Sequence, residues 1–169
     1  MILTNIVIHG LVFALILTAY LLFIMMKFSP RVWAFSDYPK EITNQVPPQT
    51  KEEKRTSIVA SVPFFIFGIG YPFLSTCLLK GLYGGTISLL GAFLNTFGVL
   101  MFGFMADLII LDLLIVGTLT PKFVIIPGTE DMKEKEYKDF RVYHTKAHAK
   151  GLILLAIISL VIAVIVHLY

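Results

Sequence analysis

Two aspartates, two histidines and an arginine stand where apolar sequence does not ordinarily carry charge. Asp107 and Asp112 are the only carboxylates within an apolar run of the 169-residue chain. A carboxylate in lipid is costly and usually marks a function or a buried partner. Arg141, His144 and His148 share one stripe of a helix with Tyr137, Phe140 and Gly151, because residues three and four apart are neighbours there. Lys135, Asp139 and Lys146 fall on the opposite side. The face that should bury therefore carries two imidazoles and a guanidinium.

Several chemistries fit that pattern. A histidine can act as acid and base while Arg141 holds an anion such as a phosphate head group. Two histidines four apart, His144 and His148, can bind one divalent metal. They can also simply pair with Asp107 and Asp112, pinning one helix to another, or remain solvated. The spacing alone is weak evidence for a catalytic zinc. That motif needs a Glu after the first histidine, and Thr145 stands there. On a straight α-helix Asp107 and Asp112 lie about 140° apart. They are then expected on different faces, with a metal between them only if the chain turns back.

Other polar positions have plainer readings. Asn95 lies in the middle of an apolar run and is expected to hydrogen-bond across helices, with a ligand contact as the alternative. His9 and His167 could in principle clasp a haem between two helices, but nothing else points to one. Cys77 reads as a small buried hydrophobe. No Gly-rich phosphate loop, nucleophile elbow, CxxC or HExxH is present.

The elements that must position these residues follow from composition. The chain is 57% hydrophobic and 15% charged, against about 25% charged in ordinary soluble domains. Its mean hydropathy is +0.83. Spanning a hydrocarbon core takes about 20 apolar residues in a helix. Four runs qualify: 2–26, 58–79, 87–107 and 151–168. The third stays apolar to residue 119, so that helix either protrudes or breaks. The fold class expected is an all-α integral membrane protein, a four-helix bundle with helical cytoplasmic extensions, forming one polytopic domain over 1–169. The first run has no basic residue before Lys27 and is too long for a signal peptide, so it reads as a retained helix.

Of the 14 Lys and Arg, 13 fall in the connections 27–57 and 120–150, and only Lys80 in the turn 80–86. The positive-inside rule then puts both long connections in the cytoplasm and both termini outside, in a bacterial-type cytoplasmic membrane. The net charge of +3 is thus a membrane signature, and nucleic-acid binding is not expected.

Local signals mark element ends. Ser29 and Pro30 predict a helix start. Thr50 to Glu53 is a capping box, so the second long helix should begin near Lys51. Thr129 is expected to cap a helix from Glu130 through Lys150. Trp33, Phe35 and Tyr38 read as residues of the headgroup level, and Phe123–Ile126 as an extended or interfacial segment. Gly10, Ala14 and Thr18 on the first helix, and Gly91 and Gly98 on the third, should allow close helix packing.

The leading functional expectation is a site at the cytoplasmic membrane surface formed by Asp107, Asp112, Arg141, His144 and His148. It would bind, and could process, a lipid head group or another anionic amphipathic molecule. A second is an oligomeric transporter or channel subunit with Asp107 as a proton or cation relay. A third is a non-catalytic partner or immunity-type protein that docks another subunit through its loops.

Overall fold

The computed structural model describes all 169 residues. Every element is helical, and four helices are long and apolar enough to cross a membrane. They are α1 (Ile2–Lys27), α4 (Lys51–Leu82), α5 (Leu89–Leu119) and α6 (Glu136–Leu168). Two short helices, α2 (Pro30–Trp33) and α3 (Lys40–Thr43), lie in the first connection. Both long connections lie at one end of the bundle, here called the loop end. The tight turn after α4 and both termini lie at the other, the hairpin end.

Helix starts follow the local signals. The Ser29 hydroxyl accepts from the Arg31 amide, with Pro30 at the first position. Thr50 and Glu53 complete a reciprocal capping box at the start of α4. Pro63 and Pro72 lie inside α4 without ending it. Beside the second, the Thr76 hydroxyl donates to the Pro72 carbonyl at 2.8 Å.

α5 is central and packs on α1, α4 and α6. Glycines let it approach α1 closely. Gly10 lies against the Phe102 ring, Gly98 against Ile6, and Gly103 against Phe13. A larger side chain at any of these would hold the two helices apart. In the hairpin half, polar side chains stitch three helices together. Asn5 of α1 donates to Asn95 Oδ1 at 2.9 Å and to Ser75 Oγ at 3.0 Å. Asn95 in turn donates to Thr76 Oγ1 at 3.0 Å, and Thr76 and Thr96 share a hydrogen bond at 2.9 Å.

Three expectations need correction. First, α5 runs on unbroken, one of the two outcomes expected, but it does not keep the α winding assumed for it. It is α-helical over Leu89–Ala106 and continues as a π-helix over Asp107–Leu119. The Thr120 amide closes it by bonding the Ile115 carbonyl five residues back, at 2.8 Å. Such windings usually last a single turn and recur at functional sites. Thr120 ends the helix with φ of 43°, a left-handed conformation that is rare for a β-branched residue. Its hydroxyl is tied to the Val116 carbonyl at 2.8 Å, and Pro121 follows.

Second, Thr129 does not cap a helix. Its hydroxyl is engaged by the Ile126 carbonyl and the Tyr137 hydroxyl, each at 2.8 Å. Only a short 3-10 turn, Glu130–Met132, follows, and α6 starts later at Glu136.

Third, the aromatic residues of the first connection are not all surface anchors. Tyr38 is 1% exposed, in a core with Ile42, Leu111, Val124, Ile126, Tyr137 and Phe140. The Tyr38 hydroxyl donates to the Val124 carbonyl at 2.7 Å, and the Ile126 amide donates to the Tyr137 hydroxyl at 2.8 Å. The two connections thus fold into one cap over the ends of α5 and α6. Arg31 grips Glu53 with two bonds, Nε to Oε1 at 2.6 Å and Nη2 to Oε2 at 3.0 Å, fastening that cap to α4.

Candidate functional site

The π winding decides the geometry of the polar cluster. In an α-helix residues three and four apart share a face; with hydrogen bonds reaching five residues the turn widens, and residues five apart come onto a shared face as well. Asp107 and Asp112 are five apart and both lie in the π segment. They therefore present to the same neighbour, α6, from an unbroken helix. The separation expected of an α-helix does not apply.

On α6 the two histidines meet them. His144 Nδ1 lies 2.5 Å from Asp112 Oδ2. His148 Nε2 lies 3.4 Å from Asp107 Oδ2, and its Nδ1 3.5 Å from Asp112 Oδ2. The stripe read along α6 places these imidazoles inward, as its spacing suggests. Phe140, one turn before, stacks on the His144 ring with centroids 3.8 Å apart, and Phe104 of α5 packs on His148 at 4.7 Å. Gly117 makes room for this approach. It lies against the Arg141 stem and the Asp112 carbonyl, so a side chain there would push α6 away from the carboxylates.

The hydrogen bonding of the cluster is incomplete. His144 and Asp112 are close, but the N–H direction misses the oxygen. Both ring nitrogens of His144 and Oδ2 of Asp112 are buried without a hydrogen-bond partner. Asp112 is 8% exposed. Leaving such groups unsatisfied costs about 1–3 kcal/mol each, more when charged. His148 is better ordered. Its Nδ1 lies 3.1 Å from the His144 carbonyl. A carbonyl can only accept, so Nδ1 carries a proton, while Nε2 faces the Asp107 carboxylate.

The other residues read from the sequence fall elsewhere. Arg141 is exposed and its Nε donates to the Lys138 carbonyl at 3.2 Å, away from the imidazoles. Asn95 belongs to the buried network of the hairpin half. His9 is paired with the Tyr71 hydroxyl at 3.1 Å, and His167 with the Ile87 carbonyl at 2.8 Å.

Beside the cluster lies a cavity of about 550 Å³, within the usual range for small-molecule sites. Asp107, Asp112, His144 and His148 all line it, and 15 of its 23 lining residues are hydrophobic. The apolar wall comes from α1 and α4, including Leu21, Ile24, Phe64 and Phe65. Tyr20 holds those two helices together by donating to the Ala60 carbonyl at 2.6 Å. Trp33 and Asp37 of the first connection also line it. The Trp33 indole N–H is buried without a partner. Asp37 is exposed as a residue while also lining the cavity. Burial pushes its carboxyl above the usual carboxylate range, His144 draws it back, and Asp112 and Asp107 add to the rise.

Neither Trp33 nor Asp37 was recognisable as a site residue. Both sit in a connection whose path is set by distant contacts, and neither has a spacing that points inward. In class, the chain is an all-helical protein with four helices able to span a membrane and, at their loop end, a mainly apolar cavity that carries a polar cluster. No protein-family model, curated protein or solved structure matches it. Its function therefore has to be argued from this geometry.

Proposed function

We propose that the protein is a four-helix membrane bundle with its loop end on the cytoplasmic side, and that its cavity binds an amphipathic molecule taken from the inner leaflet. The observation that carries this reading is the division of the cavity wall. One end holds Asp107, Asp112, His144 and His148, and the rest is mainly apolar. A molecule with a polar head and a hydrocarbon tail matches such a wall; a small soluble metabolite would leave the apolar part wet. With the four apolar helices spanning a bilayer, this cavity would lie where acyl chains give way to head groups.

The head group would meet the acids and imidazoles, with the Trp33 N–H as a ready donor to one of its oxygens. The tail would lie along Leu21, Ile24, Phe64 and Phe65. Arg141 does not reach the cavity. An anionic head group would therefore need positive charge from another source. An imidazole held beside a carboxylate can also move a proton at the head group, which is the acid–base chemistry open to this site.

The test is co-purified lipid. The protein is extracted in a mild detergent and bound molecules are identified by native mass spectrometry, beside Ser61→Phe, which fills the apolar wall. Wild type should retain about one amphipathic molecule per chain and the variant should lose it. Equal retention by both, or none by wild type, would overturn the reading.

A further inference from the structure

Carboxylates outnumber basic groups around the cavity, and the buried donor atoms are left without partners. Asp112 Oδ2 and both ring nitrogens of His144 are shut from solvent and make no hydrogen bond. One ligand-type atom from each of Asp112, His144 and His148 lies within 4.8 Å of the others. A purely structural pair would align an N–H with an oxygen. Here ligand-type atoms of three side chains converge on one point, as the donors of a cation do.

We propose that Asp112, His144 and His148 bind one divalent first-row transition-metal ion, with Asp107, beside His148 Nε2, as a fourth ligand. The donor chemistry selects the class of ion. Imidazole suits zinc and iron rather than magnesium or calcium, which take oxygen ligands. Two imidazoles and a carboxylate are the usual donors of an open zinc or iron(II) site, with remaining positions free for water or a ligand. The contact of His148 Nδ1 with the His144 carbonyl orients that ring, the common outer-shell arrangement for a metal-binding histidine, and directs Nε2 at Asp107.

The winding of α5 has a role in this reading. With α geometry throughout, Asp107 and Asp112 would diverge; the π segment turns both toward α6. Its cost is repaid if the two acids must face one point. The ion also supplies the positive charge that Arg141 does not bring. With the metal in place, the amphipathic ligand would be an anion, its phosphate or carboxylate oxygen taking the open position. That last consequence rests on the cavity reading above. The metal site itself does not.

The experiment uses the full-length protein in detergent, stripped with chelator and delipidated, so that its outcome is independent of lipid retention. Zn²⁺ binding is measured by equilibrium dialysis with elemental analysis. X-ray absorption at the zinc edge then counts imidazole ligands in wild type, without recourse to any variant. One Zn²⁺ per chain with two imidazoles is expected. His144→Gln, His148→Gln and Asp112→Asn should each weaken binding at least about 100-fold, and Asp107→Asn by about 10- to 100-fold. Helicity and elution volume of the stripped variants should match wild type. Absence of stoichiometric zinc, a bound ion without imidazole ligands, or unchanged affinity in all four well-folded variants would overturn the site.

Discussion

Replacing Asn95 with Leu should loosen the bundle by a predictable amount. The side chain is fully buried, and leucine has the same number of side-chain heavy atoms but is bulkier, so any repacking adds to the loss of polar contacts worked below. Three hydrogen bonds disappear: from Asn5 at 2.9 Å, to Thr76 at 3.0 Å and to Ser75 at 3.4 Å. Interhelical bonds of this kind average about 0.6 kcal/mol in a bilayer, so three give about 2 kcal/mol. Asn5 keeps its bond to Ser75, but Thr76 loses a donor in a dry setting. An acceptor left short there adds about 1 kcal/mol or somewhat more. The expected loss is about 2–4 kcal/mol, a large part of the roughly 5–15 kcal/mol that holds a typical domain together. Reversible unfolding in mixed micelles, followed by helicity, measures it. The cycle with Ser75→Ala should show a coupling of about 0.6 kcal/mol. A loss under about 0.5 kcal/mol would refute the reasoning, since it would mean the polar groups find equal partners when the helices separate.

Two other predictions concern the cap and the orientation. Tyr137→Phe removes the acceptor of the buried Ile126 amide and the partner of Thr129, and should cost about 1–3 kcal/mol in the same unfolding assay. Single cysteines at Ser36 and Glu134, in a Cys77→Ala background, should both label from the cytoplasmic side of sealed vesicles, with one at Tyr169 labelling from the other. Labelling of the first two from opposite sides would remove the orientation proposed here.

Much of the scaffold was legible because it rests on local rules. Apolar length and sparse charge mark the four long helices, and the caps at Ser29 and Thr50 depend on residues a few positions away. The inward facing of His144 and His148 followed from α spacing, because α6 is regular. Asp107 and Asp112 failed for the complementary reason. An angular separation of about 140° belongs to an α winding, which the second half of α5 does not have. No residue type in Asp107–Leu119 announces that change. It coincides with the approach of α6 at Gly117, a tertiary contact. Thr129 departs from the capping rule because its hydroxyl answers Tyr137, a partner that no local rule considers. Arg141 shares the histidines' stripe yet stays exposed, since a long side chain near the edge of a buried face can swing out to water.

The cap that joins the two connections has a consequence for the growing chain. Tyr38 bonds the carbonyl of Val124, 86 residues later. At a synthesis rate of about 5–20 residues per second, several seconds pass before that partner leaves the ribosome. Through that interval Tyr38 and Ile42 have no core to enter. A nascent chain stalled before Val124 should therefore keep its first connection open to proteases, and one released after Phe140 should close it.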